Sequence, residues 1–520
     1  MNTRARPPLA IAACVVAAAC GGGGGGGGGG TARTLSGTVE YDFVPATFDP
    51  PTGAGGLDFA QAARRPVRDA TVQVMKGSTV LATTTTDASG HYSLSFTESG
   101  TGQLAVACLA RTAEPVIQVQ DNTDGGAIWA IGAALDASAT TMDLHATHGW
   151  TGSSFDPAAR SAAPFAILDS MYTAARAFQA VRSVTFPALA VNWSPDNVPQ
   201  SGDAALGQIG TSHFSPNDDQ IYILGKDGID TDEFDSHVIV HEWGHYFENN
   251  LSRSDSLGGP HSSGDILDPR LAFGEGYGNA IAAMLLPETM YADTSWAGGT
   301  LSAFGFDAET PPGPTDDQDP SAFSEATILR LLYDLFDSGS SEPFDQVGVG
   351  LGVIHDVLVG PEKTTSALTT IGSFIAGLKA QPGANAAAVD TLLAHYVIGP
   401  ITDEWGEGDP ELRLMYTNVT LPSTQDINLG GGFDYNKWQQ NQYYVIDGNG
   451  AQVTVTAESS EDVALIAYQA GQQLAAADVN TTGTETVHFN TAAGKKYVVN
   501  LIGFGETPGD YGVTLHFTSP

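Results

Sequence analysis

Asp235-Ser-His-Val-Ile-Val-His-Glu-Trp-Gly-His-Tyr-Phe-Glu-Asn-Asn250 is the stretch on which the reading of this chain turns. Its apolar residues Ile239, Trp243 and Phe247 recur every four positions. That is one face of a helix, which advances about 100° per residue. Asp235 or Ser236 can cap its start and Asn249-Asn250 can end it. On such a helix His241 and His245 also share a face, so their imidazoles can hold one metal ion between them. Glu242 stands beside them, placed to take a proton from a water that the ion activates. With only 12 histidines in 520 residues, chance rarely sets two at this spacing around a glutamate.

A catalytic metal site takes three protein ligands and keeps one position open. Three places compete for the third ligand. A histidine six residues beyond His245 is one solution, but Leu251 stands there. His261 and Asp265 lie in the glycine- and serine-rich segment 252–265, which reads as a loop. Glu275 lies in Leu271–Leu286, which reads as a helix with Glu275 and Asn279 on one face and Ile281, Met284 and Leu285 on another.

The pair of motifs His241-Glu-Trp-Gly-His245 and Ala272-Phe-Gly-Glu-Gly-Tyr-Gly-Asn-Ala-Ile-Ala282 resembles the thermolysin- and fungalysin-like zinc peptidases, the gluzincins. The resemblance implies a zinc-dependent metallopeptidase. His241, His245 and Glu275 would be the zinc ligands, and Glu242 the general base. Asn279 stands where the family has an aspartate on a ligand imidazole; it can still accept that bond, without charge. The family's transition-state donor has no match. Ser321-Ala-Phe-Ser-Glu-Ala-Thr-Ile-Leu-Arg-Leu-Leu-Tyr-Asp-Leu-Phe336 resembles the fungalysin helix after its donor histidine, but Ser321 occupies the donor position. Tyr277, Tyr291, Tyr333, His355 and His395 are then the candidates. In zincins the strand before the motif helix commonly offers a free edge to an extended substrate, which makes Ile221–Leu224 a candidate substrate strand, against a plainly buried strand.

The flanks place this core in an exported chain. Arg4 and Arg6 precede a short apolar run, Leu9–Ala19, too short to span a bilayer. Ala17-Ala-Ala-Cys20 resembles a bacterial lipoprotein signal, with Cys20 as the lipidated residue, and ten glycines, Gly21 to Gly30, follow as a tether. Signal and tether are expected over 1–20 and 21–34. The implied location is the bacterial outer membrane, on its periplasmic or surface face, with membrane contact through the lipid alone. Once Cys20 is lipidated at a mature N-terminus, Cys108 has no thiol to pair with. Lys and Arg number 21 against 59 Asp and Glu, a net charge of −38 that repels nucleic acid and anionic membranes. Asp230, Asp232, Glu233 and Asp235 crowd the start of the motif helix, where they suit its dipole; a calcium ion there is a weaker reading, for want of a recognised loop.

The expected architecture is multidomain. Residues 35–145 alternate as strands, with a turn at Asp87–Gly90, and 36–97 resembles the carboxypeptidase regulatory-like β-sandwich. Residues 150–400 form an α+β zincin-like domain with a mostly α C-lobe. A helix is expected to open at Asp156-Pro157, and others at 345–358, 364–379 and 385–397. Residues 415–520 form an antiparallel β-sandwich, and 435–518 resembles the bacterial pre-peptidase C-terminal domain. Peptide or protein is the expected substrate. Two alternatives stand: a non-catalytic binding or adhesion lipoprotein with a structural zinc, and a zinc hydrolase of a non-peptide substrate.

Overall fold

The computed structural model describes residues 30–520 apart from 100, 137, 263, 298, 311–316, 318, 338–341 and 480. The targeting segment, the lipidation candidate Cys20 and residues 21–29 of the tether lie outside the described residues. The tether expected to reach 34 ends sooner. Thr31–Phe43 is one strand, because Thr31 to Thr38 pair residue for residue with Glu98 to His91.

The chain divides into two compact units. The first holds the chain up to Gln179 with Val184–Trp243 and Met290–Phe306; the second holds Ala180–Ser183, Gly244–Thr289 and Asp307–Pro520.

In the first unit the alternating runs become the strands Ala70–Lys76, His91–Glu98, Leu104–Thr112 and Ile117–Asp121. Val72, Val74 and Val106 point inward and are fully buried. At the expected turn the Asp87 carboxylate accepts from the N–H groups of Ser89 and His91, and Gly90 takes a φ of 78°, a conformation that favours glycine. Ile117–Asp121 pairs in parallel with Leu189–Trp193, which pairs in parallel with Gln220–Ile223. Strands from both sides of residues 145–150 therefore share one nine-stranded sheet.

Two expectations are corrected here. The helix expected at Asp156-Pro157 begins only at Ala163. Asp156 closes a turn onto Ala158 and Ala159, and the next side chain, Arg160, is buried in an ion pair with Glu233. The side chain that should have lengthened the helix is held elsewhere. Ile221–Leu224 has no free edge either. His213–Ser215 pairs antiparallel along the outer side of Gln220–Ile223, so the described sheet ends on His213–Ser215. A separate four-stranded sheet joins Gly225–Lys226, Asp230–Thr231, Met290–Ala297 and Thr300–Asp307.

The second unit carries the helices Pro269–Leu285, Glu325–Phe336, Gly350–Val357, Ile371–Lys379 and Ala386–His395. Asp268, Ser324, Thr370 and Asn385 cap four of them through side-chain oxygens that accept first-turn N–H groups. The Thr370 capping box starts its helix later than the expected 364, and Gly350–Val357 runs on into a π-turn, Leu358–Glu362, that contains Pro361. The C-terminal strands form a five-stranded and a four-stranded sheet around one apolar core that includes Leu429, Val455, Leu465, Leu501 and Phe517. This is a β-sandwich. Arg270, 1% exposed, ties it to the first turn of Pro269–Leu285, donating to Asp268 (3.0 Å), Tyr443 Oη (2.6 Å) and Asn500 Oδ1 (3.0 Å). Among the described residues no helix is long and apolar enough to cross a membrane.

Candidate metal centre

The motif helix spans Ser236–Asn250, as its apolar period predicts, with Ile239, Trp243 and Phe247 buried. Trp243 packs against Phe178 and Phe186 at centroid distances of 5.6 and 5.5 Å. That contact fixes the helix's rotation about its axis and with it the direction of the histidine face. The expected cap is only half realised. The Asp235 carbonyl accepts from Ile239 N–H, but its carboxylate accepts from the N–H and hydroxyl of Thr294.

The second helix, Pro269–Leu285, approaches Gly244 closely. A Cβ at Gly244 would lie 2.8 Å from Ile281 Cγ2 and 3.4 Å from Gly278 Cα. A Cβ at Gly276 would lie 2.6 Å from Ile328 Cβ and 2.9 Å from the Glu325 carbonyl oxygen. Glycine at these two positions lets three helices sit at a spacing that side chains would forbid.

The result is a group of three ligand atoms. His241, His245 and Glu275 each offer one, all within 4.8 Å of one another. His245 Nε2 lies 3.5 Å from Glu275 Oε2. That is long for a hydrogen bond, and close to the roughly 3.4 Å that separates two ligands held about 2.1 Å from one tetrahedral ion. Two imidazoles and a carboxylate suit zinc and its neighbours among the transition metals. This group can hold a metal ion.

Glu242 is 7% exposed, and its Oε2 accepts the Phe214 N–H at 2.7 Å. Phe214 is in the sheet's outermost described strand, so backbone geometry fixes where this carboxylate points.

Further titratable groups surround the three ligand atoms. Glu248, 1% exposed, stands 3.5 Å from His245 Nδ1, longer than a hydrogen bond but close enough for its charge to act on the ring. Its position three residues after His245 was a usable signal. His261, open above as a ligand, lies 3.4 Å from Glu275 Oε2 through Nε2, while its Nδ1 bonds Glu325 Oε2 at 2.6 Å. Burial works against a charged ring, but the Glu325 bond and the charges of Glu275 and Glu325 push His261 up to about 9. Asp293 is pushed up to about 7 by burial and by Asp230, with His241 acting in the opposite direction. Nothing in the local sequence brings Asp293 or Glu325 to these partners.

The remaining candidates separate. Asn279 is buried one turn beyond Glu275 on the same helix. Asp265 bonds Lys437 (3.1 Å) and the Ser262 N–H. Tyr277 is 1% exposed, and His355 bonds Asp356. Tyr333 is buried in Glu325–Phe336. His395 stacks on Phe344 at 3.5 Å. Ser321 donates its N–H to Thr327. Burial raises the Tyr291 hydroxyl well above its ordinary value, and the charges of Asp293 and Glu242 add to the rise.

No known protein family matches this chain, and no curated protein does. Solved structures match parts of it. The pre-peptidase C-terminal domain of a collagenase from Bacillus anthracis is similar at 16% identity, covering 20% of this chain and 94% of that one, with a TM-score of 0.17. The periplasmic inhibitor of g-type lysozyme from Salmonella Typhimurium is similar at 13% identity, covering 20% of this chain and 98% of that one, with a TM-score of 0.15.

Proposed function

We propose that this chain is a zinc-dependent metallopeptidase of the gluzincin type, with a central zincin-like domain, exported and lipid-anchored through Cys20. The observation that carries the reading is the convergence of His241, His245 and Glu275 with Glu242 adjacent on the same helix. His241, His245 and Glu275 would hold the ion, and Asn279 is the proposed partner of a ligand imidazole. A bound zinc supplies an acidified water and Lewis-acid stabilisation of developing negative charge.

The chain's own residues do the rest. Glu242, held by the Phe214 N–H, takes the proton of the attacking water and delivers it to the leaving amine. Glu325 holds the ring of His261, and the charge of Glu248 faces that of His245. The outermost described strand, His213–Ser215, spends its Phe214 N–H on Glu242, so the substrate-pairing role expected of Ile221–Leu224 does not pass to it. The net charge of −38 disfavours nucleic acid as a substrate.

Glu242→Gln keeps size and loses the base. It is expected to bind zinc like the parent and to lower cleavage of a protein substrate by about 10²-fold or more. His241→Ala and Glu275→Ala are expected to lose the ion itself. Equal cleavage by parent and Glu242→Gln would reject the peptidase reading, as would no cleavage by a zinc-loaded parent.

A second reading rests on His261. Its Nε2 is 3.4 Å from Glu275 but falls outside the group of three ligand atoms, so the ring would have to turn toward the ion to become a fourth ligand; a site with four protein ligands is closed and structural. The chain would then be a binding or adhesion lipoprotein.

A further inference from the structure

We infer that Asp230, Asp232 and Asp293 form a second metal site, one for a hard divalent cation of the calcium class, just ahead of the motif helix. The inference uses none of the proposed zinc ligands and stands or falls apart from the peptidase reading. Each of the three residues offers a carboxylate oxygen, and these oxygens lie within 4.8 Å of one another.

Mutual crowding of acids is not enough, because carboxyl groups can share protons. The unsatisfied atoms point to a ligand. Asp232 is 3% exposed; its Oδ2 accepts from the Ser212 hydroxyl, but its Oδ1 is buried with no donor. Asp230 Oδ1 is also buried with no donor, although the Asp230 and Asp232 side chains stand within hydrogen-bonding reach of each other. Ionised carboxylates only accept, so these oxygens face one another with nothing positive between them.

The neighbouring cations are engaged elsewhere. Arg160 pairs with Glu233, and Lys226 bonds Asp196 at 2.9 Å. A donor set of oxygens alone selects hard cations over zinc. The ion would link Asp230–Thr231 to Met290–Ala297, which pair at Asp230 and Ser295, and so anchor the chain that enters the motif helix.

The test uses the full-length protein, stripped with EDTA, returned to one equivalent of zinc, and titrated with calcium chloride in a calorimeter beside thermal unfolding. One site is expected, with a Kd of about 10⁻⁴ to 10⁻³ M, as in extracellular calcium modules, and a Tm that rises with calcium. Asp232→Asn and Asp293→Asn should each weaken binding by about tenfold or more. Should Asp232→Asn fail to fold, the half-buried Asp293→Asn decides. A parent protein that shows neither heat nor a Tm shift with calcium or magnesium overturns the site, and so does calcium binding that survives both substitutions. A cation-blind parent that Asp232→Asn stabilises would mean the carboxyls share a proton instead.

Discussion

His261 touches two carboxylates, and its role separates a working site from a closed one. One ring nitrogen is fixed by Glu325 at 2.6 Å while the other faces Glu275 at 3.4 Å. With three protein ligands, the ring orients Glu275 from outside the coordination sphere. His261→Ala should then keep one zinc per chain and weaken its affinity by about 10- to 100-fold, the usual cost of losing a residue that orients a ligand. Chelator competition measures this directly. Loss of zinc as complete as in His241→Ala would instead make His261 a ligand. At this scale the sequence was informative wherever ligands share a helix. His241, Glu242 and His245 follow from spacing alone. Glu275 came from a resemblance, and His261 stayed open because a loop has no period to fix its direction. Asp293 and Glu325 were not legible, because their partners are set by tertiary pairing.

Helices bring Glu275 to the histidines, and glycine sets how near they come. The Pro269–Leu285 helix is buried along its whole length, and its glycines are contact points for the neighbouring helices. Gly276 faces Ile328 and the Glu325 carbonyl so closely that even a methyl group meets both under 3 Å. Backbone cannot yield as a flexible side chain can. Gly276→Ala should destabilise the protein by about 1–3 kcal/mol, the usual cost of overpacking, despite alanine's better helix propensity. It should also weaken zinc binding, since Glu275 and Glu325 move with the two helices. Urea unfolding and zinc titration of the same sample test both; a variant as stable as the parent would show that the helices slide apart at no cost. Strands are legible by alternation: the runs expected within 35–145 include Ala70–Lys76 and His91–Glu98. Their partners are not. Parallel pairing of Ile117–Asp121 with Leu189–Trp193 joins segments far apart in sequence, and local periodicity carries no record of it.

The whole molecule is strongly acidic outside and also stores carboxyl groups inside. Arg270 and Asp268 bind the C-terminal β-sandwich to the helix of Glu275 through Tyr443 and Asn500, a polar network whose members are 230 residues apart in the case of Arg270 and Asn500. Elsewhere in the same unit, Glu362 is 0% exposed and accepts from the Ser373 hydroxyl at 2.8 Å; burial, only partly offset by that bond, pushes it up to about 8. Burial likewise pushes Asp334 up to about 8 against a bond from Tyr396. Between the ordinary glutamate range and pH 8 the folded chain therefore binds protons that the unfolded chain releases. The stability this confers is full below the unfolded value and is lost as pH rises through the folded one. Melts in excess chelator, which keeps metal binding from masking the effect, should show stability falling from pH 5 to pH 8, by at most about 1.4 kcal/mol per pH unit for each such group. Glu362→Gln preserves the acceptor for Ser373 and removes the titration, so its pH profile should be flatter than the parent's. Parallel profiles for the two proteins, or a parent that gains stability over this range, would mean that Glu362 stays ionised in the fold, where Arg253 is the cation whose charge acts to lower it.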